Sequence, residues 1–361
     1  MSRRRRDSWD FSSTKLTASG QQALWQLCEG NGSLRTLILS NSDVGSDCPL
    51  ALHMAEGMAL TKLNLSGNEL LGPTFGVALG RALGSGGGTL LAELYLRSTG
   101  LAVEGVKAIA SALAQHDALR VLDISHNRAG REGCSALAKM LRVNEQLRQL
   151  AMEGMAGSLL DEKTTWLIGS ALLENPRTRL RSLSFDSFAV DDDPSLVLAA
   201  DTRPADVVLL AGVLKANSSL QSLTIPHGCV GKVDGKAATD AKRALQALAQ
   251  SLHANVGLAR LCLSGAALGE GAAAVGDALL ANRAGRLALI NVKELQLQVE
   301  AADVLSIPEG LPSSMLRLHA GRLHPPNRPR SIAAPLALLT IMLMMVCAVA
   351  LSEPVVNAGR N

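Results

Sequence analysis

Leucines and isoleucines recur along the chain in the motif L-x-x-L-x-L, here called the repeated figure, whose last three positions alternate between apolar and polar residues. Such alternation is typical of a half-buried β-strand, because successive side chains of a strand point to opposite faces. The figure begins at Leu34, Leu60, Leu91, Leu119, Leu147, Leu180, Leu220 and Leu258, with a degenerate ninth copy at Val292. Its return every 26 to 40 residues predicts a stack of repeated structural units.

Between these copies the apolar residues follow the spacing i, i+3, i+4 and i+7, which predicts amphipathic helices. The clearest stretches are 105–116, 134–144, 207–218, 238–255 and 271–282, and residues 20–31 have the same pattern and are expected to cap the stack. Each unit is therefore predicted to be a short strand, a turn and a helix. None can bury its apolar face alone, so stacking must make the core continuous.

The pattern resembles the leucine-rich repeat family, and within it the ribonuclease-inhibitor-like branch, over about residues 18–300. The resemblance also depends on an Asn that ends the helices, at Asn144, Asn175, Asn217, Asn255 and Asn282, with Asn31 ahead of the first strand. We expect this Asn to take the left-handed conformation that ends a helix. The resemblance implies an α/β solenoid, a curved horseshoe with parallel strands on the concave face and helices on the convex face.

In that family a polar residue after the strand satisfies backbone groups of the neighbouring layer. Asn68 and Asn127 fit this role, and Ser42 and Thr99 are plausible polar substitutes. A structural role, rather than a catalytic one, is therefore assigned to Asn127. The later repeats place apolar or small residues there, at Met155, Phe188, Gly228 and Ala266. The C-terminal half is accordingly expected to be less regular, and the insertions 189–206 and 226–240 are expected to form surface loops.

The residues between the leucines of each strand are expected to line the concave sheet. Among them, Tyr95 is the single tyrosine of the chain, and Tyr and Arg are frequent interface anchors. We therefore predict a binding patch centred on Tyr95, Arg97, Asp123 and Glu153. Its full set is Lys62, Glu93, Tyr95, Arg97, Asp123, Glu153 and Asp186. The acidic residues predict a protein partner with some basic character, and the alternative is an ordinary polar sheet surface with binding elsewhere.

Composition narrows the classes of function. A formal charge of +3 argues weakly against nucleic acid as a partner, although Arg3–Arg6 form a basic cluster within residues 1–17, which are predicted to be disordered. The six cysteines show neither a disulfide framework nor zinc-finger spacing, and their free thiols suit a reducing compartment. Because no catalytic motif is present either, we expect no metal, no cofactor and no enzymatic activity.

The last part of the sequence predicts a membrane anchor. Residues 331–352 carry no charge, and the twenty residues 332–351 match the roughly 30 Å hydrocarbon core of a bilayer. Residues 301–330 read as a Pro-rich linker and 353–361 as a short tail. Because arginines precede the segment, the repeats are expected to face the cytosol, as in a tail-anchored protein. The alternatives are an apolar helix that caps the solenoid and a GPI signal.

Together these features predict a non-enzymatic binding scaffold or adaptor, tethered to a membrane by a single pass. The alternative function is regulation of a small GTPase, because the chain also resembles the repeat domain of Ran GTPase-activating proteins. The sequence does not indicate an oligomeric state.

Overall fold

The computed structural model of the protein describes residues 7–86, 90–155, 161–226 and 236–263, together with 274, 275, 278 and 289–291. The chain divides into two compact units, residues 1–189 and residues 190–361. Each unit contains a sheet of short strands connected by helices, so the α/β class predicted from the sequence is confirmed.

One sheet has eight strands, which lie side by side in chain order. They are β1 (Ser8–Asp10), β2 (Thr36–Ile38), β3 (Lys62–Asn64), β4 (Glu93–Tyr95), β5 (Val121–Asp123), β6 (Gln149–Ala151), β7 (Ser182–Phe185) and β8 (Phe188–Val190). From β1 to β7 each strand pairs with the next in parallel. A second, parallel sheet consists of β9 (Ser195–Val197), β10 (Ser222–Ile225), β11 (Arg260–Leu263) and β12 (Leu289–Asn291).

Helices follow the strands, as the periodicity predicts. In the first unit they are α1 (Ala18–Cys28), α2 (Leu50–Ala55), α3 (Gly72–Gly84), α4 (Ala102–Leu113), α5 (Gly130–Val143) and α6 (Glu162–Glu174). In the second unit they are α7 (Pro204–Leu214) and α8 (Lys236–Ala254). The predicted helices are thus confirmed, except for 271–282, most of which lies outside the described residues.

The core comes from the leucines of the repeated figure. Leu37, Leu63 and Leu94 in the middle of their strands are fully buried, while the residues on either side of each are half-buried. Burying one such side chain contributes about 1.5–3 kcal/mol, so a row of them stabilises the stack strongly. All eight predicted strands are confirmed, and the face opposite the leucines is here called the sheet face.

Glycines let helices α3 and α4 pack closely. A Cβ atom on Gly76 would lie 2.6 Å from the Cα of Gly105, and one on Gly80 would lie 2.6 Å from the carbonyl carbon of Ala108. Because real Cβ atoms do not approach backbone this closely, a side chain at either position would force the helices apart.

Polar residues after the strands connect neighbouring units, as the resemblance implies. The Asn127 Oδ1 accepts from the backbone N–H groups of Thr99 at 3.0 Å and Leu101 at 3.2 Å, and its Nδ2 donates to the carbonyls of Leu96 and Ile124. Asn68, which lies two units earlier, makes the equivalent four hydrogen bonds. Both side chains are buried, so the structural role predicted for Asn127 is confirmed.

The asparagines that end the helices act differently from the prediction. Asn144 and Asn175 have ψ angles of 127° and 104°, so their backbone is extended rather than left-handed. Their side chains explain their presence: Asn144 donates to the carbonyl of Leu113, in the preceding helix, and accepts from the N–H of Leu147. The position therefore needs a buried amide that bridges two units, and it does not need a residue that tolerates a left-handed backbone.

Three other expectations need correction. The segment 1–17 is not wholly disordered, because residues 8–10 form β1 and pair with β2. The insertion 189–206 is not simply a loop, since it contains β9 and the start of α7. A ninth strand does exist, but β12 covers 289–291 and so precedes the copy predicted from Val292.

The remaining expectations fall elsewhere in the chain. Most of the insertion 226–240 and the segments 301–330, 331–352 and 353–361 lie outside the described residues. In the part that the structure describes, no helix has both the length and the apolar character needed to span a bilayer.

Candidate functional site

The predicted patch divides into two groups of contacting side chains on the sheet face of the first unit. In the first group, the Lys62 Nζ lies 2.7 Å from Glu93 Oε2 and 5.2 Å from the centre of the Tyr95 ring. The Tyr95 hydroxyl donates to Glu93 Oε2 at 3.1 Å. Neighbouring parallel strands β3 and β4 place these residues, because Lys62 is opposite Glu93 in the register. Glu93 thus fixes both the ammonium and the phenol.

The electrostatics of this group follow from its contacts. The hydrogen bond from Lys62 lowers the pKa of Glu93, although burial opposes it. Burial, followed by the charge of Glu93, raises the pKa of Tyr95 to about 12. The phenol is therefore neutral at physiological pH and is suited to packing and hydrogen bonding rather than to proton transfer.

The second group surrounds Glu153. Its Oε2 accepts from Arg97 Nη1 at 3.1 Å and lies 3.8 Å from His126 Nε2, and its Oε1 accepts from the Ser184 hydroxyl. The hydrogen bond from Ser184 is the largest cause of the lowered pKa of Glu153, and Arg97 also contributes. The group spans strands β4 to β7, so it connects four adjacent units.

Two predicted residues have more local roles. Asp123 is opposite Tyr95 in the sheet, and its Oδ1 accepts from the N–H of Ser125 at 3.0 Å. Asp186 accepts from the N–H of Gly154 at 2.6 Å and so supports the turn after β6. The seven predicted residues therefore lie in or shortly after strands β3 to β7, but Asp186 is engaged mainly with backbone.

Sequence reasoning missed Ser184 and His126 as members of the second group. Ser184 alternates with the buried Leu183 and Phe185, so the alternation already placed it on the sheet face. His126 lies at a turn, with φ of 58°. Its ring, however, packs over Gly154, where an added Cβ would lie 2.3 Å from Nδ1. No sequence pattern signals that contact.

Glu153→Gln is expected to lower the free energy of unfolding by about 1 kcal/mol at pH 7. In acid, where Glu153 is itself protonated, the substitution should have little effect. The folded state depresses the Glu153 pKa, so the contribution is present above the ordinary glutamate value of 4.5 and is lost as the pH falls through the folded pKa. Urea unfolding at pH 7 and at steps below 4.5 measures the difference. Glu69→Gln, at an exposed residue with no described ion pair, is the control. A difference for Glu153→Gln that does not change with pH would contradict the assignment.

Three buried cysteines, Cys28, Cys48 and Cys134, offer no reactive thiolate. Burial raises the pKa of Cys28 to about 11 and those of Cys48 and Cys134 to about 12. A thiol with such a pKa is protonated and a poor nucleophile at neutral pH. Among the described residues, no group of three His, Cys, Asp or Glu side chains could hold a metal ion. The arrangement on the sheet face is thus one of paired charges and an anchored aromatic ring.

Comparisons with known proteins agree with the repeat architecture. A family profile described as "Leucine Rich repeat" matches residues 119–138. Leucine-rich repeat-containing protein 45 of Gallus gallus is 35% identical over 98 residues, which is 27% of this chain and 14% of that relative. The chain therefore matches only a small part of that relative's length.

Among solved structures, the actin-binding site 2 region of leiomodin-1 is similar over 37% of this chain and 76% of that one, with 20% identity and a TM-score of 0.33. The ribonuclease-inhibitor-like branch stays a prediction from the resemblance. The eight predicted strands, the stacked strand–helix units and these sequence matches together support a leucine-rich repeat protein.

Proposed function

We propose that the protein is a non-enzymatic binding scaffold that captures a protein partner on the concave side of its sheet, at the patch around Tyr95. The observation that carries this proposal is the ordered pair of groups formed by Lys62, Glu93 and Tyr95 and by Arg97 and Glu153. Leucine-rich repeats supply a broad binding surface rather than a catalytic pocket. The repeats thus provide the frame, and the patch provides the specificity.

The patch has the character of a preorganised interface. Tyr and Arg are enriched among residues that dominate binding energy, and here each is held by a carboxylate. Side chains that are ordered before binding lose less entropy when a partner arrives. Four carboxylates and two cationic side chains lie within the seven residues, which favours a partner with some basic character.

Quantitative affinity capture with the full chain tests the proposal. A variant with Tyr95→Ala, Arg97→Ala, Asp123→Ala and Glu153→Ala should lose at least 90% of the partner signal, about a tenfold effect, since hot-spot residues contribute most of the binding. The control removes three ion pairs at the surface of the helices by Glu104→Ala, Lys107→Ala, Arg142→Ala and Glu174→Ala. Equal capture by both variants, with folding confirmed by circular dichroism, would remove the patch from the proposal.

The proposal includes a membrane tether formed by residues 331–352, with the repeats in the cytosol. Its support is the uncharged stretch of that segment and the arginines that precede it. Protease protection on intact vesicles, with a tag at each end of the chain, tests it. The repeats should be digested while the C-terminal tag is shielded, whereas shielded repeats would reverse the orientation and a fully soluble chain would eliminate the anchor. Regulation of a small GTPase stays a prediction from the resemblance alone.

A further inference from the structure

Three arginines occupy the same position in consecutive units of the first sheet, directly before β5, β6 and β7. The N–H of Arg148 donates to the carbonyl of Arg120 at 2.8 Å, and the N–H of Arg181 donates to the carbonyl of Arg148 at 3.0 Å. The three residues are therefore on adjacent rungs of the sheet, about 4.8 Å apart. We call Arg120, Arg148 and Arg181 the arginine column.

Positive charge dominates the surroundings of this column. After burial, the charges of Arg148 and Arg179 are the main causes that lower the pKa of Arg120, while Asp117 opposes them. The nearby Glu145 is engaged with Arg177 at 3.2 Å. Arg148 is exposed, and no carboxylate within 4.0 Å of it is present in the part of the chain that the structure describes.

Like charges on adjacent strands are destabilising by themselves. The helices show the usual alternative, in which Arg142 pairs with Glu174 and Arg131 pairs with Asp161. In the arginine column, the Arg120 Nη1 donates to the backbone carbonyls of Asp117 at 2.7 Å and Leu119 at 3.3 Å, and Arg148 is exposed to solvent. An anionic ligand would reduce the repulsion and could accept from the planar fork of the exposed Arg148 guanidinium.

The same three strands are followed by carboxylates. Asp123 ends β5, while Glu153 and Asp186 follow β6 and β7. Each of these strands therefore has an arginine directly before it and a carboxylate at or shortly after its end. A partner that places basic groups on the patch around Tyr95 would have to satisfy the opposite charge at the other edge.

We propose that the arginine column binds an acidic segment of the protein partner, which lies across strands β5 to β7. This inference rests on the proposed function, because it assigns the second half of the same interface. A peptide is favoured over a nucleic acid because Val121, Gln149 and Ser182, the first residues of these strands, provide no aromatic ring for base stacking. Carboxylates spaced along an extended peptide can reach successive rungs.

A synthetic peptide tests the assignment directly. The probe is a fluorescein-labelled peptide of alternating Glu and Ser, and the protein is the full chain in a non-ionic detergent. Fluorescence anisotropy should show saturable binding that weakens at least tenfold in Arg148→Glu. The matched control is Lys139→Glu, which makes the same charge change at an exposed position of α5 and should alter the Kd less than twofold. Circular dichroism checks that both variants are folded.

The other outcomes separate the possibilities. Equal weakening by Arg148→Glu and Lys139→Glu would show diffuse attraction and overturn the assignment, as would the absence of binding to the peptide. Tighter binding of a labelled single-stranded oligonucleotide than of the peptide would also overturn it, in favour of nucleic acid. The capture experiment with the Tyr95 patch variant is independent of the peptide. If capture depends on the patch while the peptide does not bind, the acidic-segment assignment fails and the scaffold proposal stands.

Discussion

Replacing Asn127 by alanine is expected to lower the free energy of unfolding by about 3 kcal/mol, a large share of the stability of an ordinary domain. The side chain is 1% exposed, so water does not replace its bonds. Its loss leaves the N–H groups of Thr99 and Leu101 without their acceptor and removes a donor to the carbonyls of Leu96 and Ile124. The damage therefore reaches both units that the amide connects.

Urea unfolding followed by circular dichroism measures this effect. Asn64→Ala is the matched control, because its half-buried amide makes one local bond, to the N–H of Ser66 at 3.0 Å. That substitution is expected to cost no more than about 1 kcal/mol. If Asn127→Ala and Asn64→Ala cost the same, the bridging role of Asn127 is wrong. Asn127→Asp keeps the acceptor but replaces the donor Nδ2 by a carboxylate oxygen that faces the carbonyls of Leu96 and Ile124, so it should be no better than alanine.

Gly80→Ala is expected to destabilise the protein by about 2 kcal/mol, although alanine is the better helix former. The new methyl group would lie 2.6 Å from the carbonyl carbon and 2.8 Å from the carbonyl oxygen of Ala108, and backbone atoms cannot rotate away. Forcing α3 and α4 apart costs roughly 3 kcal/mol, against a gain of about 1 kcal/mol in helix propensity.

Gly84→Ala provides the control in the same helix. There an added Cβ would meet only the Cβ of Ala112 in α4, at an ordinary distance of 3.7 Å. This substitution should be neutral or stabilising by up to about 1 kcal/mol. The thermal midpoint should thus fall for Gly80→Ala and stay or rise for Gly84→Ala, and a decrease for both would contradict the close-packing argument.

The repeated leucines predict most of the fold because each unit needs the same buried positions. Leu63 and Leu94 occupy such positions in their strands, and the structure buries both completely. Strand β1 escaped prediction because Ser8–Asp10 has no repeat leucine and exists through its pairing with β2. Strand β9 escaped for a similar reason, since it is short and lies in an insertion.

The candidate site could be placed on the sheet from sequence, but its contacts could not. Alternation alone puts Tyr95 and Asp123 on the sheet face. Arg97 and Glu153, by contrast, are 56 residues apart and belong to units that are not adjacent. Their contact depends on the twist of the sheet and on side-chain rotamers, which a repeat pattern does not encode. The sequence did show that the polar residue after the strand is replaced at Met155 and Phe188, and the first sheet ends at β8.

The buried asparagines also impose an order in time on the nascent chain. The turn at Ser42 and Val44 needs the side-chain oxygen of Asn68, which follows Ser42 by 26 residues, and Thr99 needs that of Asn127, 28 residues later. As the ribosome releases the chain, each turn stays incomplete until the following repeat has emerged. Folding of the first unit should then lag synthesis by about one repeat, and a ribosome-stalled chain that ends before Asn127 should leave the Thr99 turn open to proteases.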